Sequence, residues 1–225
     1  MRRLALPLVA VLVLAAPAGA AKKKPKPPAP PPPGQTLHRH TDADTAKARA
    51  ALLTLDALGG GWRAKTPASR KAGLTCSSFL PVLNGVVETG AAVSPEFQAS
   101  ATGPFVGQAT WVYRTAAQAS TLWRRVVGPG LERCFADSVA QGSTRSVLFE
   151  VKRRSALGLP RLEARAAGWR VTATAVSAGQ KVTAYTDLIV LSRGRTVSEL
   201  TIAQFASPMP RAREVALARL AAARL

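Results

Sequence analysis

The chain has 225 residues, 47% of them hydrophobic and 19% charged, which suits one domain with a buried core and excludes a second large domain. Lysine and arginine number 31 against 12 acidic residues, a formal net charge of +19 at pH 7. Residues 41–225 alone keep 24 basic and 12 acidic residues, a net +12, so the basic character is not confined to the N-terminus. This sign of charge favours polyanions as partners without naming one.

The first twenty residues have the features of a secretory signal peptide. Arg2 and Arg3 precede the apolar run Leu4–Ala16, and the small residues Ala18–Ala20 match the positions that a signal peptidase reads. The arginine pair leaves the twin-arginine export route open as an alternative. The run is shorter than the roughly 20 residues of a transmembrane helix, and no later stretch qualifies. We therefore expect residues 1–20 to be removed and the mature protein to be secreted, without a transmembrane segment.

Residues 21–41 are predicted to form a disordered spacer rich in lysine and proline. Lys22–Gly34 contains seven prolines and four lysines, a composition that cannot bury a core and that favours extended polyproline II. Two interpretations stay open: a solubilising linker without a partner, or an arm that binds anionic lipid headgroups or cell-wall polymer. In the second, the polyanion-binding residues are Lys22, Lys23, Lys24 and Lys26.

His38 and His40 flank Arg39 at the end of the spacer. A tight metal site needs three or four converging ligands, and the chain has no further histidine. We therefore predict no metal site and no cofactor.

The single domain is predicted to span residues 42–225. Its first element is an alanine-rich helix over Ala43–Leu58, which the glycines Gly59–Gly61 end. The β-prone stretch Phe79–Gly90 follows, and Ala109–Arg114 reads as a strand.

Two helices are predicted next. Thr115 and Gln118 form a capping box, and the apolar residues of Ala116–Val127 fall within an arc of about 140° on a helical wheel. A second short helix, Leu131–Val139, carries Cys134. Cys76 and Cys134 are expected to form a disulfide, because an even pair of cysteines in an exported chain is normally oxidised.

The last third of the chain predicts a β-meander. Short glycine-containing connections join four strand-like stretches, as antiparallel hairpins require. These are Val147–Arg153, Leu162–Val176, Lys181–Arg193 and Thr196–Ala206. A closing helix over Arg211–Leu225 completes an α+β fold, in which a curved antiparallel sheet packs on two to four helices, one face is concave and one disulfide is present.

No catalytic motif occurs: the chain lacks a nucleophile elbow, a phosphate-binding loop, a dinucleotide-binding glycine motif and a zinc-protease motif. Asp187 and Glu199, on neighbouring predicted strands, are the one candidate acid/base pair, and hydrolase activity is the alternative they support. No nucleic-acid recognition motif accompanies the positive charge. We predict no enzymatic activity, no catalytic residues and no nucleic-acid partner.

Five stretches between residues 74 and 225 have a distinctive hydrophobic spacing: ATWVYRTAAQASTLWRRV, LERCFADSV, GWRVTATAV, DLIVLSRGRTVSEL and the helix after SPMP. In these stretches the chain resembles a known family, the extracellular sensor domains of mycobacterial receptor Ser/Thr kinases and related actinobacterial lipoproteins (PknH type). It implies a mixed α/β fold with a cleft for an external ligand. Family members usually carry two disulfides, whereas this chain has two cysteines and no kinase domain.

If the cleft transfers, aromatic residues on the strands are the ligand-binding candidates, with plain core packing as the alternative. They are Trp111, Tyr113, Trp169 and Tyr185. Two functions follow. The first is a secreted, non-enzymatic binding or sensor-like module of the cell envelope that captures a small amphipathic or lipidic ligand. The second is an envelope-associated structural protein that binds anionic wall polymer or a membrane surface through its basic arm and face.

Overall fold

The computed structural model of the protein describes residues 36–65, 79–144 and 147–225. The chain divides into two units, Met1–Pro30 and Pro31–Leu225, and every described residue belongs to the second. Outside the described residues lie the predicted signal peptide and the predicted polyanion-binding residues Lys22, Lys23, Lys24 and Lys26. None of the described helices has the length and apolar composition of a transmembrane segment.

Strands and helices alternate irregularly along the described residues. The strands are β1 (Leu37–His38), β2 (Arg63–Lys65), β3 (Val87–Val93), β4 (Glu96–Gln98), β5 (Phe105–Tyr113), β6 (Leu148–Ala156), β7 (Arg165–Ser177), β8 (Gln180–Arg193) and β9 (Thr196–Phe205). The helices are α1 (Asp42–Ala50), α2 (Leu55–Leu58), α3 (Ala116–Val126), α4 (Pro129–Gln141) and α5 (Arg211–Ala223).

The nine described strands form one sheet. Seven of them follow one another in the order β1-β3-β5-β9-β8-β7-β6. β4 pairs with β5 and with β2, beside the path formed by the other strands. The predicted meander is confirmed, because β6, β7, β8 and β9 are successive antiparallel neighbours. At the β7–β8 hairpin, Ala178 and Gly179 have positive φ angles of 48° and 77°, which matches the primed turns that two-residue hairpins favour.

The predicted fold class needs correction on two points. The sheet is mixed rather than antiparallel, because the edge strand β1 runs parallel to β3. The disulfide is also no part of the described fold, because Cys76, the predicted partner of Cys134, lies outside the described residues. Cys134 is buried in α4. The α+β character itself is confirmed, with four helices of nine residues or more and the four-residue α2.

Both faces of the sheet are covered, which explains the long apolar run in β8. Residues 187–192 of β8 are all buried, whichever face they point to. On one face, called the α3–α4 face here, Leu188 and Val190 pack in one cluster with residues of α3 and α4. On the opposite α5 face, Ile189 and Leu191 pack in a second cluster with residues of α5.

The predicted helix Ala43–Leu58 is wrong in its length, because the chain breaks after α1 and restarts as α2. The cause is a buried side chain on β5. Gln108 Oε1 accepts a hydrogen bond from Leu53 N at 2.6 Å, and its Nε2 donates to Ala51 O at 3.1 Å. These bonds hold residues 51–53 against the sheet, and Thr54 caps the separate helix α2.

The predicted amphipathic helix is confirmed as α3, with Ala119 and Leu122 buried on its sheet side. Thr115 Oγ1 accepts from Gln118 N at 3.2 Å, as a capping residue does. The other half of the predicted capping box differs. The Gln118 side chain donates to Gly85 O at 2.8 Å and accepts from Val87 N, so it fastens the start of β3 to α3.

A buried ionic cluster joins α5 to the meander. Arg170 on β7 forms a bidentate ion pair with Asp187 on β8, at 2.6 and 2.8 Å. The same guanidinium donates to Glu214 of α5 at 2.7 Å, and Arg211 pairs with the other carboxylate oxygen. Asp187 and Glu214 are 2% and 1% exposed, so their charge and hydrogen-bond partners are these arginines rather than water.

We predict that Arg170→Ala lowers the free energy of unfolding by about 3 kcal/mol, because it leaves two buried carboxylates without their shared partner. The matched control is Arg193→Ala, since Arg193 pairs at 3.3 Å with Glu163 and both side chains are exposed. That change should cost less than about 0.5 kcal/mol. Urea denaturation of both variants measures the difference, and equal midpoints would contradict the assignment.

Candidate functional site

An apolar pocket of about 270 Å³ lies on the α3–α4 face. The sheet forms one wall, and the facing walls come from α3, α4 and the segment before β3. The lining residues are Thr36, Phe79, Pro81, Leu83, Trp111, Tyr113, Leu122, Val126, Val127, Leu131, Val190, Val197 and Glu199. All but three of these side chains are hydrocarbon or indole, which makes this a site for an apolar molecule.

Residues 79–83, before β3, form one side of the pocket, and their side chains point alternately into the pocket and into solvent. Phe79, Pro81 and Leu83 line the cavity, whereas Leu80 and Val82 are 80% and 60% exposed. Strand-like alternation without strand pairing therefore brings every second residue to the pocket. Its backbone is also held by α3, because Arg125 Nη1 donates to Val82 O at 2.9 Å.

Glu199 is the one carboxyl group among the described residues that line the pocket. It lies on β9 two residues after the buried Val197, so both side chains are on the same face of the sheet. It makes no hydrogen bond or ion pair within the described part of the chain. Burial raises the pKa of Glu199 to about 7. At neutral pH the pocket therefore holds a carboxyl group that is close to half ionised.

Tyr113 adds a phenol to the same pocket. Burial raises its pKa, and the negative charges of Glu88 and Glu199 raise it further. The phenol therefore stays protonated at physiological pH and can donate a hydrogen bond. The pocket combines an apolar body with one acceptor that can carry negative charge and one neutral phenol.

The structure brings together two of the four predicted aromatic residues. Trp111 and Tyr113, two residues apart on β5, both line the pocket. Trp169 lies on the same face of the sheet but is packed in the core, 8% exposed, and does not line the pocket. Tyr185 lies two residues before the buried Asp187 on β8, on the α5 face. Ligand binding by any of the four stays a prediction.

The alternative acid/base pair is separated by the strand register. Asp187 of β8 is opposite Ile202, and Glu199 of β9 is opposite Val190. The two carboxylates are therefore three positions out of register and on opposite faces of the sheet. Asp187 is engaged by Arg170 instead. This geometry excludes direct cooperation between Asp187 and Glu199.

Sequence reasoning missed most of the pocket wall. The missed residues include Phe79, Leu83, Leu122, Val126, Leu131 and, as a ligand-binding group, Glu199. The sequence carries no signal for Glu199 as a pocket residue. It shares its strand face with Thr201, whereas the apolar Leu200 and Ile202 lie on the other face, so alternation alone places it toward solvent.

Metal-ligand residue types converge elsewhere. Among the described residues, His38, His40 and Glu88 place one potential ligand atom each within 4.8 Å of one another, at the β1 edge of the sheet. His38 belongs to β1, so part of the stretch predicted as spacer pairs with the sheet. The predicted polyanion-binding role of the lysines at positions 22 to 26 stays a prediction, because they lie outside the described residues.

Comparison with known proteins finds no matching family model and no matching curated protein. Among solved structures, the extracellular domain of PknH from Mycobacterium tuberculosis is similar, with a TM-score of 0.45 and 12% identity over 82% of this chain and 98% of that one. LpqN of the same organism, involved in cell envelope biogenesis, has a TM-score of 0.29 and 13% identity over 73% of each chain. We transfer no residue role from either structure.

We predict that Glu199→Gln removes a pH dependence of stability. The folded-state pKa of about 7 exceeds the ordinary value of 4.5, so the folded state binds the proton more tightly than the unfolded state does. The resulting stabilisation is complete below about pH 4.5 and is lost as the pH rises through 7. Relative to the glutamine variant, the wild type should lose about 2 kcal/mol between pH 5 and pH 8.

Urea denaturation of both proteins at the two pH values measures this difference. Glu163→Gln is the matched control, because that carboxylate is exposed and its substitution should leave the wild-type pH dependence intact. A wild type and a Glu199→Gln variant with parallel pH profiles would contradict the assignment.

Proposed function

We propose that the protein is an exported, non-enzymatic binding module of the cell envelope that captures a small amphipathic ligand in the pocket on the α3–α4 face. The observation that carries this proposal is Glu199, a carboxyl group without a partner among the described residues, facing an apolar cavity. Export is supported by the signal-peptide features of residues 1–20. A binding role is supported by the pocket lining, where Glu199 and Tyr113 are the only titratable groups among the described residues.

The apolar wall sets the body of the ligand. Trp111 and Leu122 lie on opposite walls, one on β5 and the other on α3. An alkyl chain or a small ring bound between them is therefore shielded from water on both of its sides. The volume of about 270 Å³ is at the lower end of the range of small-molecule pockets. A short alkyl chain or a single ring fits this space, whereas the hydrocarbon of a whole two-chain lipid does not.

Glu199 sets the polar end of the ligand. Its charged form is disfavoured by burial, and a cation placed beside it favours that form again. The pocket should therefore prefer a ligand with an ammonium group to the matching alcohol, and the alcohol to the matching carboxylate. A ligand carboxylate would face the like charge of Glu199 in a low-dielectric site.

Three ligands with the same alkyl chain test this order: octylamine, octanol and octanoate, titrated at pH 7.5 against the tryptophan fluorescence of the protein. Trp111 lines the pocket and so reports on occupancy. We expect octylamine to bind most tightly, and Glu199→Gln to weaken it by about 10-fold or more while leaving octanol within about 3-fold. Equal affinity for all three ligands would contradict the role of Glu199.

A pocket-filling pair separates binding in the cavity from binding to the surface. Val126→Trp places a large side chain in the cavity, and Val182→Trp places the same side chain at an exposed position on β8. Octylamine binding should be lost in the first variant and kept in the second. Binding that survives Val126→Trp in a folded protein would overturn the proposed site, and so would wild-type protein that binds none of the three ligands.

A further inference from the structure

We propose a second site, independent of the pocket function: His38, His40 and Glu88 bind one divalent transition-metal ion of the Zn²⁺ class at the β1 edge of the sheet. The chain contains only these two histidines, and both are at this place. The sequence offered two ligands and no third. The fold supplies the third by pairing β1 with β3.

The backbone fixes the ligands in register. β1 runs parallel to β3 with His38 directly beside Glu88. Leu37 N donates to Val86 O at 3.0 Å, Arg39 N to Glu88 O at 2.8 Å, and Thr41 N to Thr89 O at 2.8 Å. Because His38 and His40 are two residues apart on extended chain, their side chains leave the same side. Three ligands are thus brought together by backbone hydrogen bonds that do not involve their side chains.

The distances suit a small ion. One oxygen, Glu88 Oε1, lies 2.7 Å from His40 Nε2 and 3.2 Å from His38 Nδ1. Ligands of tetrahedral Zn²⁺, with bonds of about 2.0–2.2 Å, are roughly 3.3 Å apart. The His38–Glu88 separation already has this value, and the His40–Glu88 separation needs to open by about half an ångström. The imidazoles of His38 and His40 are 65% and 44% exposed, so they are free to make that adjustment.

Glu88 differs from the other paired carboxylates of the interior in its partners. Asp187 and Glu214 bind Arg170, and Asp44 binds Arg195 at 2.8 Å. Glu88, whose side chain is 8% exposed, contacts the two imidazoles and no arginine or lysine among the described residues. The chain has 31 basic residues, and none of the lysines and arginines among the described residues lies beside this buried carboxylate. A bound cation would supply the missing positive charge.

The donor set selects the ion. Imidazole nitrogen suits Zn²⁺, Cu²⁺ and Ni²⁺, whereas Ca²⁺ and Mg²⁺ prefer sites made of oxygen ligands. Two imidazoles and one carboxylate make three protein ligands, and water fills the remaining position of a tetrahedral ion. The ion would also join β1 to β3 through side chains and so secure the N-terminal segment to the domain.

Calorimetric titration of the untagged protein with Zn²⁺ tests the site. We expect one ion per chain, and His38→Ala and His40→Ala should each weaken binding by more than about 100-fold, since loss of an outer-shell partner alone costs up to that factor. Arg39→Ala is the matched control. Arg39 lies between the histidines and its side chain leaves the opposite side of the strand, so binding should stay within about 3-fold of wild type.

Amide hydrogen exchange gives a second readout that does not depend on the measured affinity. Zn²⁺ should slow exchange at Leu37 and Arg39, whose N–H groups donate to the carbonyl oxygens of Val86 and Glu88, and should not do so in the His38→Ala/His40→Ala double variant. Wild-type protein that binds no Zn²⁺ at millimolar concentration would overturn the proposal. Binding of equal strength in the double variant would also overturn it, because the ion would then lie elsewhere.

Discussion

Burial of the central strands on both faces is the constraint on which the rest of the structure depends. Ile189 and Leu191 point to one side of β8, and Leu188 and Val190 point to the other, so neither side can face water. Each face of the sheet must therefore be covered by its own layer of helices. α5 covers one face and carries Glu214 into the ionic cluster around Arg170, whereas α3 and α4 cover the other.

The pocket results from the way α3 and α4 pack on their face of the sheet. α3 and α4 are separated by only two residues at the Gly128 turn, and their apolar sides meet the sheet around Trp111 and Tyr113. They leave a cavity there that the segment before β3 helps to line. Glu199 lies at this place on β9, between the apolar residues Ala109 of β5 and Val190 of β8 that are opposite it in the sheet. The helices thus bury Glu199 beside a cavity that side chains do not fill, and this burial raises the pKa of the carboxyl group to about 7.

The sequence was sufficient for features set by local periodicity and insufficient for those set by contacts between distant residues. The four-strand meander, α3 and α5 were predicted because alternation, caps and turns are local signals. The break after α1 was not, since its cause is Gln108, 55 residues from its partner Leu53. The same holds for the site. Trp111 and Tyr113 were found as aromatic residues on one strand, but the α3 and α4 walls and the pairing of Glu88 with the histidines depend on tertiary structure.

The proposed function of the pocket depends on one property of Glu199: it is an acid that faces apolar side chains and has no partner among the described residues. A ¹³C NMR titration of the side-chain carboxyl carbons measures this directly, with the Glu199 signal assigned by its loss in Glu199→Gln. We expect a midpoint near pH 7, well separated from those of exposed glutamates near pH 4.5. A Glu199 midpoint near 4.5 would show that the carboxyl group is solvated or paired, and would contradict the account.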